Sequence, residues 1–275
     1  MNESLVKYLA GLLDADGSLS FAFRSDQNNI GRCFVGLNMR LASSTAVDKE
    51  GFIESLPALT GFGTVNRYGE FDQFKTWNVS KRADLEMLLP RIVKHMVIKA
   101  KHWQWLYEMW RDLRAKQNTV SSEEREALVQ AVKESRRLKH GPLKPKNHPS
   151  WAWVAGYLDG DGCYSYRSHM NGEYRQWSIF VSAVAHVNDI CVLEFLQHSF
   201  GGYIQPQGQS DNVKIWWRSL GYQNSSFALE FLSKTARHSR LKRAKIDAMI
   251  HHHRQRLSVP GTKPRVSASD SLKAA

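Results

Sequence analysis

Apolar residues recur at Leu5, Leu9, Leu12 and Leu13, the spacing of one helix face, and predict a helix over Ser4–Asp14. Gly17 follows, a residue suited to taking the chain out of a helix. The period then shortens to two. Leu19, Phe21 and Phe23 alternate with Ser18, Ser20, Ala22 and Arg24, which predicts a half-buried strand. A second strand is predicted over Phe34–Ala42, with Leu37, Met39 and Leu41 inward and Asn38 and Arg40 outward. A helix near Asp48–Leu56, strands at Thr64–Tyr68 and Phe74–Val79, and helices at Arg82–His95 and Ala100–Arg114 complete the run. Trp103, Trp105, Met109 and Trp110 sit at helical spacing and read as core packing.

The same order then starts again. A-G-x-L-D-x-D-G occupies Ala10–Gly17 and recurs at Ala155–Gly162, an offset of 145. Later landmarks follow it. Gly61–Val65 answers Phe200–Ile204, and Lys75-Thr76-Trp77 answers Lys214-Ile215-Trp216, both at 139. The expected organisation is a first repeat over 1–112, a helical and proline-rich linker over 113–149, a second repeat over 150–256 and a disordered basic tail over 257–275. Within the linker, Ser121 and Glu124 fit a capping box opening a helix over Ser121–His140. The fold class is α+β: two pseudo-twofold-related αββαββα repeats, each with a four-stranded antiparallel sheet.

Composition narrows what such a fold meets. Lys+Arg number 38 against 26 Asp+Glu, a formal charge of +12. A surplus of that size favours a polyanionic partner, nucleic acid before an anionic membrane surface. Cys33, Cys163 and Cys191 form no C-x-x-C pair, which disfavours a zinc ribbon or redox dithiol and suits a reducing compartment. No apolar run is long enough to span a bilayer, and the N-terminus lacks the basic and cleavable regions of a secretory signal. His251-His252-His253 point in different directions on a helix and make a poor shared ligand set.

The repeated motif carries the chemistry. Ala10, Gly11, Ala155 and Gly156 have almost no side chain, so two such helices can pack backbone against backbone. Asp16 and Asp161 then meet at one end, where two carboxylates repel unless a cation lies between them. Oxygen-only ligands favour Mg²⁺ or Ca²⁺ over zinc. Mg²⁺ held by carboxylates and substrate phosphates suits attack of water on a phosphodiester. Asp14 and Asp159 read as residues that orient the turn.

Leu9–Gly17 (LAGLLDADG) and Val154–Gly162 (VAGYLDGDG) resemble the LAGLIDADG motif of homing endonucleases. The first copy departs at Leu13; the second keeps Ala155, Gly156, Asp159, Asp161 and Gly162. The resemblance implies a monomeric, two-repeat enzyme whose sheets form a DNA-binding saddle. Such an enzyme is expected to cut both strands of a long, non-palindromic duplex in intron homing. It implies two or more Mg²⁺ ions shared by Asp16 and Asp161, with the carbonyls of Ala15 and Gly160 nearby; Ca²⁺ takes their place without supporting cleavage. It also implies a lysine in each repeat, Lys99 and Lys242, with Lys101 and Lys245 as neighbours that could exchange roles. Ser43 and His186 are the counterparts of a polar residue at the end of the second strand. An RNA maturase acting on its host intron RNA, or an inactive DNA-binding regulator, shares the fold. The implied setting is intracellular, in an organelle or a prokaryotic cytoplasm, with no membrane.

A two-stranded ribbon fits the major groove, so the polar sheet faces are the expected DNA contacts. These are Ser20, Arg24, Asn38, Arg40, Asn66, Tyr68, Thr76 and Asn78 in the first repeat. In the second they are Ser165, Arg167, His169, Ser182, Gln205, Gln207 and Trp217. The two sets differ, which predicts a target without palindromic symmetry.

Overall fold

The computed structural model describes residues 1–25, 32–44, 51–115, 119–135, 149–171, 174–186, 189–207, 214–218 and 225–257. The first repeat runs α1 (Glu3–Asp16), β1 (Gly17–Ser25), β2 (Arg32–Ser44), α2 (Phe52–Thr60), β3 (Thr64–Tyr68), β4 (Phe74–Val79), α3 (Arg82–Val93) and α4 (Ala100–Ala115). A short strand β5 (Thr119–Ser121) and helix α5 (Ser122–Ser135) follow. The second repeat runs α6 (Trp151–Asp161), β6 (Gly162–Asn171), β7 (Tyr174–His186), α7 (Ile190–Phe200), β8 (Tyr203–Gln207), β9 (Lys214–Arg218), α8 (Ser225–Ala236) and α9 (Arg243–Leu257).

α1 and α6 are buried on nearly every side. Leu5, Val6, Tyr8, Leu9, Ala10, Leu12 and Leu13 are lost from solvent, as are Ala152, Trp153, Val154, Ala155, Tyr157 and Leu158. Each helix packs on its own sheet on one side and on the other helix on the opposite side, so an all-round apolar sequence is what it needs. Asn2 starts α1 by accepting from the Leu5 amide at 2.8 Å, and Ser150 starts α6 by accepting from Trp153 at 3.2 Å.

Gly11 and Gly156 make the helix pair possible. A Cβ on Gly11 would lie 2.0 Å from the Trp153 carbonyl oxygen, and one on Gly156 would lie 2.0 Å from that of Tyr8. No side chain fits there, because the obstacle is backbone. Gly17 and Gly162 end the motif helices, as expected. Both are extended, at φ −77 and −91, and pass straight into a strand. They are small because a Cβ would fall 2.6 Å from Leu13 Cα or 2.5 Å from the Leu158 oxygen.

Each sheet has the antiparallel order first-second-fourth-third: β1-β2-β4-β3 and β6-β7-β9-β8. The first gains a fifth strand, which four-strand reasoning did not anticipate. β5 pairs Thr119–Ser121 with Arg32–Phe34 of β2 and so ties the linker to that sheet. Val120, 3% exposed, packs with Phe21, Phe23, Leu113 and Leu128 to hold it there. The capping box forms as the sequence suggests. Ser121 N–H donates to Glu124 Oε2 at 2.8 Å and Glu124 N–H to Ser121 Oγ at 3.2 Å. The helix it opens ends among the described residues at Ser135.

α2 begins later than the expected Asp48, at Phe52, and its end is set by Gly61, left-handed at φ 80. Trp103 and Trp110 are core residues, with Trp105 and Met109 partly buried against them. His252 and His253 pack edge-on against Tyr166, with ring centroids 4.7 and 6.3 Å away. Among the described residues, no cluster of metal-ligating side chains stands apart, and no helix is long and apolar enough to cross a membrane.

Replacing Gly11 or Gly156 with alanine forces the two motif helices apart. Chemical denaturation should show a loss of about 3 kcal/mol or more for either variant.

Candidate nuclease centre and nucleic-acid interface

The two aspartates of each motif copy are two residues apart at a helix end. That spacing turns them about 200° from each other, so one faces inward and the other outward. Asp14 and Asp159 are the inward pair, 3% and 1% exposed. Asp14 accepts from the amides of Val97 (2.7 Å), Ile98 (3.3 Å) and Lys99 (2.9 Å) and from Trp153 Nε1 (2.9 Å). Asp159 accepts from Ser239 Oγ (2.7 Å), the amides of Arg240 (2.8 Å) and Leu241 (3.0 Å), and Tyr8 Oη (2.7 Å). Each carboxylate therefore clamps the segment that carries its repeat's lysine. Burial pushes the Asp14 pKa up, while the Val97 and Lys99 amides and Trp153 oppose the shift.

The lysines close the other side of the motif. Lys99 Nζ donates to the carbonyls of Leu13 (3.0 Å), Ala15 (3.0 Å) and Gly17 (2.9 Å). Lys242 Nζ donates to those of Leu158 (2.8 Å), Gly160 (3.3 Å) and Gly162 (2.6 Å). These carbonyls cluster at the C-terminal end of the motif helix, where a cation is favoured. Lys101 and Lys245 are exposed. The Ala15 and Gly160 carbonyls thus lie beside an ammonium group in each repeat. Burial draws the Lys242 pKa down against the pull of Asp159, Asp16 and Asp161.

Asp16 and Asp161 are the outward pair. Both remain open to solvent on one side, while protein on the other sides removes enough water to disfavour their charge. Burial raises the Asp16 pKa, and Lys99 and Lys242 counter it. Asp161 is pushed up to about 6, by burial first and by the Asp16 charge second. Lysines of both repeats act on each acid, so the two motif ends form one electrostatic unit. Gly160 brings the ends together, since a Cβ there would meet Ala15 Cβ at 2.5 Å and Asp16 Oδ2 at 2.8 Å. Two carboxylates with adjacent backbone carbonyls form an all-oxygen donor set. It fits a hard divalent cation such as Mg²⁺, whose charge would offset the repulsion felt by Asp161.

From this centre the open sheet faces lead away. Register places Ser18, Ser20, Asn38, Arg40, Thr76, Asn78, Thr64, Asn66 and Tyr68 on one face. Arg40, Asn66 and Tyr68 are exposed and Ser20, Asn38 and Asn78 half-buried, but Thr76 is only 8% exposed between its neighbours. Lys75 and Arg67 project from the opposite face to Glu54 of α2, Lys75 at 3.2 Å. In the second repeat Ser165 and Gln205 are half-buried and Ser182 is 7% exposed. The side chains of Arg24, Ser43, Arg167, His169, His186 and Gln207 lie outside the described residues.

The side chain of Trp217 likewise lies outside the described residues. The backbone register pairs Trp217 with Ala183 and Ile204, as it pairs Trp77 with Leu41 and Val65. The β8–β9 connection is one residue longer than the β3–β4 connection, so Trp77 corresponds to Trp217 and not to Trp216. A one-residue slip exchanges the register positions. Trp216 is paired with Val184 and Gln205, and Arg218 with Ser182 and Tyr203. Sequence reasoning missed the bonds from Tyr8 and Trp153, which no spacing signals.

The fold and its paired motif ends define a two-repeat LAGLIDADG architecture, the fold of homing endonucleases. Among solved structures, the I-SmaMI LAGLIDADG homing endonuclease bound to cleaved DNA matches with a TM-score of 0.68 at 16% identity, covering 100% of this chain and 95% of that one. I-GzeII in complex with its DNA target matches with a TM-score of 0.71 at 14% identity, covering 98% and 94%. I-SmaMI bound to uncleaved DNA in the presence of calcium ions matches at 0.63 and 18%, covering 100% and 97%. No protein-family model matches the sequence, and no curated protein matches it.

The raised pKa of Asp161 has a sign that can be tested. Between its ordinary value of 3.8 and about 6, the folded chain holds a proton that the unfolded chain has released. Stability therefore falls as pH rises through that window. In chelator-treated protein, Asp161→Asn should melt higher than wild type at neutral pH. The difference should close as pH falls toward 3.8.

Proposed function

We propose that this protein is a site-specific endonuclease that hydrolyses both strands of a long, asymmetric duplex DNA in intron homing. The observation that carries the reading is the paired motif end. Two outward aspartates on close-packed helices share the field of two caged lysines. Asp16 and Asp161, with the Ala15 and Gly160 carbonyls, would hold Mg²⁺. The metal would supply a polarised phosphate and an activated water. Lys99 and Lys242 orient the carbonyls of the motif ends and present positive charge where a scissile phosphate gains negative charge. The open faces bear Arg40, Asn66 and Asn78, whose side chains can read purine edges bidentately. The formal charge of +12 supports a nucleic-acid partner, and the two sheets of one chain would serve one half-site each. Ca²⁺ is expected to hold the complex uncut.

The test is cleavage of a duplex library that includes the uninterrupted insertion site of the host gene. Purified protein should linearise its target with Mg²⁺ and bind without cutting in Ca²⁺. Asp16→Asn and Asp161→Asn should each lower cleavage by about a thousandfold or more while duplex binding persists. Full activity in both variants, or binding of folded host intron RNA in preference to any duplex, would overturn the reading. Duplex affinity should also fall linearly on a log–log plot against salt, the mark of phosphate neutralisation.

A further inference from the structure

The clamps on the two lysine segments are completed from the wrong repeat. Asp14 belongs to α1 and holds the segment 97–99 of its own repeat, yet its fourth donor is Trp153 Nε1 of α6. Asp159 belongs to α6 and holds Ser239, Arg240 and Leu241, yet its fourth donor is the Tyr8 hydroxyl of α1. Tyr8 and Trp153 occupy the same position in the two motif helices, 145 apart. They are 2% and 1% exposed, so neither bond has water as an easy substitute.

Geometry makes the crossing unavoidable. The inward aspartate lies on the side of its helix that faces the other motif helix. The residue six positions earlier in that other helix is brought opposite it by the Gly11–Gly156 contact. A donor there has to come from across the boundary. The two donors differ in kind, a phenol in one direction and an indole in the other, so the two supports are not equivalent.

We infer that Tyr8 and Trp153 are positioning residues that act across the repeat boundary. Tyr8 secures Lys242 of the second repeat through Asp159, and Trp153 secures Lys99 of the first repeat through Asp14. The consequence for cleavage rests on the endonuclease reading; the consequence for backbone protection does not. Damage to one motif helix is therefore felt at the other repeat's lysine.

Tyr8→Phe deletes one oxygen and keeps the ring, so it carries the decision; Trp153→Phe is the reciprocal variant. Amide hydrogen exchange is measured first, on the full chain without DNA or metal. Tyr8→Phe should speed exchange at Arg240 and Leu241 on the order of tenfold and leave Val97 and Lys99 unchanged. Trp153→Phe should do the reverse. Strand-resolved nicking is measured second. Tyr8→Phe should slow the strand that Lys242→Ala slows, and Trp153→Phe the strand that Lys99→Ala slows. Equal changes at both amide segments overturn the crossed arrangement, as does slowing by Tyr8→Phe of the strand assigned to Lys99. If wild-type protein cuts no duplex, the endonuclease reading fails, and the exchange pattern alone decides the crossed support.

Discussion

Close contact between two helix backbones is the constraint on which the rest depends. Gly11 sits against the Trp153 carbonyl and Gly156 against that of Tyr8, with no space for a single carbon. A contact this close sets both the separation and the rotation of the helices. It thereby brings two helix ends together, and with them two outward acids and two lysines that each sense the pair. Leucine at either glycine would still give an apolar helix. It would not give one centre.

Within each motif the division of labour between aspartates follows from angle and burial. The inward aspartate has four donors, among them backbone amides of the segment that carries its lysine. Such an acid is satisfied within the fold and has little left to offer a ligand. The outward aspartate has solvent, a like charge and lysines for neighbours. An acid of that kind is held at a cost to stability, and on the proposed reading a bound cation would relieve it, a trade common at functional sites.

The sheets extend this logic outward. Their helix-side faces are filled by Leu37, Met39, Leu41, Trp77 and their counterparts, which leaves the other faces free of structural duty. β5 braces the far end of β2 through Val120 and a short ladder, so the linker supports the first sheet as well as joining the repeats. Edge strands left open invite unwanted pairing, and a short covering strand is one remedy.

Much of this was legible in the chain. Period-two alternation identified β1 and β2, the repeated A-G-x-L-D-x-D-G located the helix pair, and Ser121 with Glu124 announced α5. These signals are local, set by residues within a few positions of each other. The register of β9 was not legible, because one extra residue in a connection leaves the sequence similarity intact while changing which tryptophan pairs with Ala183 and Ile204. Nor was the fifth strand, since three residues carry no periodicity. The sequence by itself determined which residues are small, acidic and basic, and at what spacing along each helix. Only the tertiary structure decided that Asp14 and Asp159 clamp the lysine segments, which carbonyls each lysine cages, and that Tyr8 and Trp153 bond across the boundary. Those outcomes depend on contacts between segments far apart in the chain, and no local pattern encodes which atoms such a meeting brings together.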